Sequence, residues 1–199
     1  MQLEEHTAIA PEQQYRASVY RLLAALLRDI PSEAVLTYAR QLADLSEGGD
    51  ALATALVGLG LAARHTDPLA IDDEFHALFI GMGRGEIVPY GSWYLTGFLM
   101  EKPLSLLRQE LFALGFERDP SVKEPEDHVA ALCEVMAILI ETDAEFAQQQ
   151  HFFSRHIADW QQRFYQDLEQ APSAAFYQAV AQLGSAFIQF EQQYFSIQQ

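Results

Sequence analysis

The chain has 199 residues, enough for one ordinary domain with a sizeable core. Half of the residues are hydrophobic and 20% are charged, a balance that excludes an intrinsically disordered chain. Twelve basic and 28 acidic residues give a formal net charge of −16. This charge argues against partners that are nucleic acids or anionic membrane surfaces.

Apolar residues recur at helical spacing along almost the whole chain, and no segment reads convincingly as a strand. The expected helices cover, in chain order, about 11–29, 32–48, 52–59, 68–79, 103–114, 125–149, 152–164 and 172–194. The sequence therefore predicts an all-α protein, a bundle of about eight helices in a single domain spanning residues 1–199.

A glycine-rich segment interrupts this pattern after the fourth helix. Gly81, Gly83 and Gly85 fall within five residues, which invites comparison with a phosphate-binding loop. The segment follows a helix and lacks the Gly-Lys-Ser/Thr that such a loop needs. We interpret it as a flexible connector.

Three features bear on location. The single Cys133 excludes an internal disulfide and is expected to be an inert, buried thiol. The first ten residues have neither the basic nor the apolar region of a signal peptide. The longest apolar stretch, residues 130–140, is too short to span a bilayer. A cytoplasmic protein without stable membrane insertion is expected.

The sequence offers little for catalysis, metals or cofactors. The closest histidine pair, His151 and His156, has a spacing that places the two side chains on different faces of a helix. Gly91–Ser92 lacks the nucleophile elbow of a hydrolase. We expect no metal, no cofactor and no enzymatic activity. A helical hydrolase that uses His128 with Asp127 stays open as the weaker alternative.

The strongest concentration of chemistry is the segment from Glu124 to His128. Pro125 suits the first position of a helix, and Glu126 and Asp127 suit its first turn, so helix capping explains three of the five residues. Capping does not explain His128. A carboxylate beside an imidazole at a helix start is able to bind a basic or hydrogen-bonding group.

A second cluster is aromatic and follows the glycine-rich loop. Tyr90, Trp93, Tyr94 and Phe98 fall within nine residues. They fit either a core or a groove for an apolar peptide, and the polar tips of Trp and Tyr at a loop–helix junction favour the groove.

At these residues the sequence resembles the TorD/DmsD family of redox-enzyme maturation chaperones. The family pattern Glu-Pro-x-Asp-His stands at residues 124–128, and Pro-Tyr-x-Ser-x-Tyr stands at residues 89–94. An aromatic-x-x-Leu-Phe stretch before a glycine loop matches residues 75–81, and His-x-x-x-Trp matches residues 156–160. Gly91 departs from relatives that often carry Glu there.

The resemblance implies a cytoplasmic chaperone that binds the twin-arginine signal peptide, or the apoprotein, of a molybdoenzyme precursor. It would assist cofactor insertion and prevent premature export. Asp127 and His128 are assigned to precursor binding, and Glu124 and Pro125 to fixing the helix entry. The groove is assigned to three aromatic residues, Tyr90, Trp93 and Tyr94.

The same resemblance leaves two matters open. Family members form monomers or domain-swapped homodimers, and residues 117–123 are the candidate hinge. A neighbouring branch assembles nitrate reductases that are not exported, so a chaperone of that type is the alternative. For the first of these two chaperones, that of an exported precursor, Asp127→Ala and His128→Ala should weaken precursor binding and leave helicity and melting nearly unchanged.

Overall fold

The computed structural model describes residues 10–45, 49–81, 83–119 and 121–197, and in these ranges the chain is built from helices. It forms ten α-helices there: α1 (Pro11–Arg28), α2 (Glu33–Gln41), α3 (Ala51–His65), α4 (Pro68–Phe75), α5 (Gly91–Thr96), α6 (Lys102–Ala113), α7 (Val129–Glu141), α8 (Phe146–His156), α9 (Gln161–Gln170) and α10 (Phe176–Ile197). The predicted all-α class is confirmed, with more helices than the eight expected.

Two short turns extend the α-helices. A 3₁₀ turn at Leu42–Asp44 follows α2, and a π-helical turn at His76–Ile80 follows α4. Parts of four sequence-based expectations lie outside the described ranges. They are the signal-peptide features sought in residues 1–9, the end of the second helix at Gly48, position Met82 of the glycine-rich segment, and position Pro120 of the candidate hinge.

The centre of the molecule is the pair α1 and α7. Arg21 pairs with Glu141 and Arg28 pairs with Glu134, so the two helices run antiparallel. Almost all of α7 is buried, including Cys133, as predicted. Burial raises the pKa of the Cys133 thiol to about 12, which keeps it protonated and unreactive.

The predicted helix over 125–149 is wrong at its start and in its middle. Helix α7 begins at Val129, because the Asp127 side chain binds elsewhere and His128 takes the capping position. The helix ends at Glu141, where Asp143 adopts a left-handed φ of 55°. The amide of Ala144 then bonds the Leu139 carbonyl, which closes the turn before α8.

The predicted helix over 152–164 is also two helices. Helix α8 ends at His156 and α9 begins at Gln161. The indole Nε1 of Trp160 donates to the His156 carbonyl at 2.7 Å, which occupies an acceptor at the end of α8 and fixes the indole in the break.

The last helix begins at Phe176, four residues later than predicted, because of a distant carboxylate. Glu74 of α4, only 6% exposed, accepts hydrogen bonds from the amides of Ala175, Phe176 and Tyr177 at 2.7–3.0 Å. These are the free N–H groups of a helix start, so Glu74 caps α10 and joins it to α4.

No helix in the described part of the chain has the length and hydropathy needed to cross a membrane.

Candidate functional site

The two motif segments meet through their backbones. The Gly91 amide donates to the Asp127 carbonyl and the Val129 amide donates to the Pro89 carbonyl, both at 2.9 Å. Tyr90 and His128 thereby form an isolated antiparallel bridge. This junction sets the start of α5 beside the start of α7.

Asp127 is the most deeply placed acidic residue of the junction. Asp127 is only 3% exposed, and its Oδ2 accepts a hydrogen bond from the Ser92 amide at 2.8 Å. Its Oδ1 and the Ser92 hydroxyl oxygen are both buried and have no hydrogen-bond partner among the described residues. A buried polar atom without a partner costs free energy, so a donor group that reached these two atoms would bind favourably.

Asp127 and Ser92 line one cavity of about 300 Å³, which we call the inner cavity. Its apolar lining comes from α5, α6, α7 and the break before α9: Leu95, Pro103, Leu106, Leu107, Leu132 and Trp160. A Cβ at Gly91 would approach the Trp160 indole to 3.2 Å, so glycine lets this ring lie close to the junction. The cavity therefore combines an acidic acceptor with an apolar wall.

A polar cluster of α6 and α8 borders the inner cavity. His156 Nε2 lies 2.8 Å from Glu110 Oε2, and Arg155 and His151 approach the same oxygen at 3.6 and 3.7 Å. Burial lowers the pKa of His156, and the Glu110 carboxylate offsets only part of this effect. His151 and His156, whose spacing predicts different faces of a helix, thus both approach the carboxylate of Glu110.

Among the described residues no group of three or more His, Cys, Asp or Glu is arranged to hold a metal.

His128 has a structural role that the sequence did not indicate. Its Nδ1 accepts from the Ala130 amide at 3.2 Å, so His128 itself caps α7 in place of the acidic residues before it. Burial, with a smaller effect from Arg28, lowers the pKa of His128 to about 4. An imidazole that is neutral and bonded to the backbone is poorly suited to act as a base with Asp127.

Tyr90 connects the junction to the surface. Its ring packs edge-on against His128 with centroids 5.1 Å apart, and its hydroxyl donates to the exposed carboxylate of Glu124. Burial and the neighbouring Glu124 raise the pKa of Tyr90, so the phenol stays protonated and holds that carboxylate in place.

The other two aromatic candidates, Trp93 and Tyr94, contact different residues from those that Tyr90 contacts. Trp93 lies under the Arg84 guanidinium, 4.4 Å from its ring, and Tyr94 stacks on Trp160 at 5.6 Å. Neither side chain lines the inner cavity. The sequence analysis assigned no site role to Ser92, His156 or Trp160, although all three belong to motifs shared with the family and line the inner cavity.

A second concave surface lies beside residues 124–126, and we call it the outer groove. It encloses about 630 Å³ between α6, α7 and the wall formed by residues 116–119 and 121–126. Its apolar residues are Leu111, Phe112, Phe116, Val122, Val135 and Ile138. Glu126 lines it and binds Arg108 at 2.9 Å and Arg118 at 3.7 Å. Burial raises the pKa of Glu126, but the hydrogen bond from Arg108, a backbone hydrogen bond and the charges of the two arginines together lower it. Glu124 and Pro125 line the same groove.

Comparison with known proteins identifies similar chains. The family model described as nitrate reductase delta subunit matches residues 42–166, more than half of the chain. A chaperone protein TorD from Vibrio cholerae serotype O1 is 32% identical over 140 residues, which cover 65% of this chain and 64% of the relative. The chain thus spans just under two thirds of that relative's length. A chaperone protein TorD from Aliivibrio salmonicida is 25% identical over 198 residues, with 88% and 92% coverage.

One solved structure shares the fold. A protein from Archaeoglobus fulgidus described as a redox enzyme maturation protein aligns with a TM-score of 0.58 at 22% identity. The alignment covers 89% of this chain and 93% of that one.

Proposed function

This chain belongs to the TorD-like family described as nitrate reductase delta subunit, and on that premise we propose that it is a chaperone for the maturation of a molybdoenzyme. The predicted family is confirmed by the family match. Two TorD relatives carry the name chaperone, and the structural relative carries the name redox enzyme maturation protein. The client, its signal peptide and its export are our inference.

The observation that carries the proposal is the buried, unpartnered Oδ1 of Asp127, a residue that lines the inner cavity. A guanidinium group supplies several N–H donors in a planar fork that matches a carboxylate. A twin-arginine signal peptide presents two such groups next to an apolar segment. The inner cavity offers the matching carboxylate beside apolar side chains.

The other junction residues support peptide binding in different ways. Glu124 is exposed and held by Tyr90, so it is placed to meet a basic residue arriving from solvent. His128 and Pro125 position the junction, since His128 caps α7 and the Pro125 carbonyl accepts from the His128 amide. The net charge of −16 attracts a basic peptide over a longer range.

In this function the protein binds the precursor in the cytoplasm, before export, and releases it once the molybdenum cofactor is inserted. The proposal includes no catalysis, no cofactor of its own, and no nucleic acid. We also propose that residues 1–199 form a single domain. The protein is then a monomer or a domain-swapped dimer, with residues 117–123 as the hinge of the swap.

Calorimetric titration with synthetic twin-arginine leaders from several molybdoenzymes tests the proposal. Saturable one-to-one binding of one leader is expected, and it would identify the client. Weaker binding at higher salt is expected if carboxylates meet the arginines. If no leader binds and the precursor apoprotein is not retained in a pull-down, the proposed function is wrong.

Asp127→Asn is the sharpest variant for the site. The asparagine oxygen still accepts from the Ser92 amide, whereas the free carboxylate oxygen is replaced by an NH₂ donor that repels a guanidinium. We expect affinity for the leader to fall by roughly 10- to 100-fold, the value of one charged hydrogen bond. Asp73→Asn, on an exposed position of α4 that lines neither cavity, removes the same charge and is the matched control.

A second candidate follows from the description of the matching family, which names a nitrate reductase subunit. In that case the protein assembles a nitrate reductase that is not exported. Binding to the partner would then persist after its N-terminal signal segment is removed, and leaders alone would not bind.

A further inference from the structure

The inner cavity is lined by a cation of the chain itself as well as by the free carboxylate. Arg155 of α8 and Asp127 both belong to its lining. The Asp127 Oδ1 is buried and has no hydrogen-bond partner among the described residues, whereas the Arg155 side chain is 47% exposed. A guanidinium pairs strongly with a carboxylate that it can reach. Another contact must therefore keep Arg155 away from Asp127.

Glu110 of α6 provides that contact. Its Oε2 lies 3.6 Å from the Arg155 Nε, and its side chain is only 16% exposed. The distance is too long for a strong hydrogen bond, so the charge of Glu110 is what restrains the guanidinium. Partial burial makes this attraction less screened by solvent than that between two surface groups.

His156 holds the Glu110 carboxylate in place without neutralising it. The His156 Nε2 lies 2.8 Å from the same Glu110 oxygen, and the imidazole packs against Phe152 with ring centroids 5.1 Å apart. Burial lowers the pKa of His156, so near neutral pH the ring is uncharged. With its hydrogen on Nε2 it donates one hydrogen bond, and the negative charge of Glu110 remains available to Arg155.

From this arrangement we propose that Glu110 is a positioning residue of the inner cavity, which holds the Arg155 guanidinium away from Asp127. The inference rests on the proposed function, in which the Asp127 carboxylate binds a cationic group of the client. Arg155 is an internal competitor for that carboxylate. Because Glu110 restrains it, the ligand does not have to displace it.

Glu110→Gln tests the inference, because it removes the charge and keeps an oxygen that accepts from the His156 Nε2. The probe is the synthetic twin-arginine leader that binds the unmodified protein. Each titration is repeated in the Arg155→Gln background, which has no competing guanidinium. The matched control is Glu101→Gln, which removes the same charge from an exposed residue before α6 that lines neither the inner cavity nor the outer groove.

We expect Glu110→Gln to weaken leader binding by about tenfold when Arg155 is present, the effect of one competing charged pair. In the Arg155→Gln background the same substitution should change the affinity by less than about twofold. Glu101→Gln should bind the leader like the unmodified protein, and circular dichroism should show the same helix content for all variants. A purely structural contact between α6 and α8 would give equal losses in both backgrounds.

Urea unfolding tests the position of Arg155 without any leader. In the Glu110→Gln background we expect Arg155→Gln to lower the urea midpoint, because it breaks the new pair with Asp127. This loss should disappear when Asp127→Asn is also present. With Glu110 intact, the effects of Arg155→Gln and Asp127→Asn should be additive, since the two side chains are then apart.

The two measurements separate this inference from the proposed function. If leaders bind and Glu110→Gln weakens binding equally in both backgrounds, or not at all, the inference is wrong and the proposed function stands. If neither a leader nor the apoprotein binds, the proposed function is wrong. Coupling of Arg155 to Asp127 that is confined to the Glu110→Gln background would still support the role of Glu110, and additive effects in both backgrounds would overturn it.

Discussion

His128 makes stability depend on pH in a direction that can be derived from its environment. In the folded protein its pKa is about 4, against 6.5 for an unperturbed histidine. As the pH falls from 6.5 to 4, the unfolded chain takes up a proton that the folded chain does not. The free energy of unfolding therefore decreases over this range, by up to about 3 kcal/mol from this residue.

His128→Asn tests this pH dependence while keeping a capping acceptor for α7. We expect the variant to be about 1 kcal/mol less stable at pH 7, because the contact with Tyr90 is lost. Its free energy of unfolding should fall less steeply between pH 6.5 and 4. Urea unfolding at several pH values measures both, with His65→Asn, at an exposed histidine, as the control. Parallel curves for the unmodified protein and His128→Asn would contradict the assignment.

The candidate site could be found from the sequence, whereas the roles of its residues could not. The motif at residues 124–128 identified Asp127 and His128, but local rules assigned the acidic residues to capping and left His128 unexplained. The structure reverses these roles, because Asp127 binds the amide of Ser92, 35 residues away. A contact over that distance in the chain leaves no periodic signal. It also means that alanine at either position should lower stability as well as binding.

At the scale of elements, Glu74 links α4 to the start of α10 by three hydrogen bonds. Glu74→Gln removes the charge and puts an NH₂ group against backbone donors, so we expect a loss of about 1–3 kcal/mol in the free energy of unfolding. The matched control is Glu86→Gln, an exposed carboxylate that also binds this turn, through Ser173. Chemical denaturation should show a loss below about 0.5 kcal/mol for the control. Equal losses would show that the charge at α10 is unimportant.

Periodicity predicted most of the helices, but it predicted neither the short helix α5 nor several of the helix boundaries. Apolar spacing indicated the first four helices and α6 to within a few residues, apart from the end of α2 and the end of α3, which continues to His65, six residues beyond the predicted end. The break after Glu141 was missed because its left-handed residue is Asp143, where glycine is the usual signal. The break at residues 157–160 was missed because an indole–carbonyl bond stabilises it, and this bond depends on tertiary packing.

At the scale of the whole molecule, one buried ion pair joins helices from both ends of the chain. Arg16 of α1 and Glu191 of α10 are both fully buried and form two hydrogen bonds of 2.6 and 2.7 Å. Tyr20 and Gln149 complete the network. Glu191→Gln would leave a buried cation without its counter-charge, and we expect a loss of about 3–5 kcal/mol.

The exposed pair Arg21–Glu141 provides the control for this prediction. Both side chains are 40–44% exposed, so Glu141→Gln should cost at most about 1 kcal/mol. A double variant, Arg16→Met with Glu191→Leu, should recover much of the stability lost in Glu191→Gln, because it removes both charges. Similar urea midpoints for the two single variants would argue against a special contribution from the buried pair.

The hydrogen bonds that pair residues 89–91 with residues 127–129 also have a topological consequence. They tie together the two ends of a long segment of the chain, so the residues between them, which include α5 and α6, form a loop that is closed at one place. For a closed loop, doubling the length costs only about 0.6 kcal/mol in chain entropy. Insertions or deletions between Gly115 and Lys123 therefore change the length of the groove wall and leave the junction closed. The outer groove can therefore differ in shape between such proteins while the Asp127 carboxylate keeps its place at the junction.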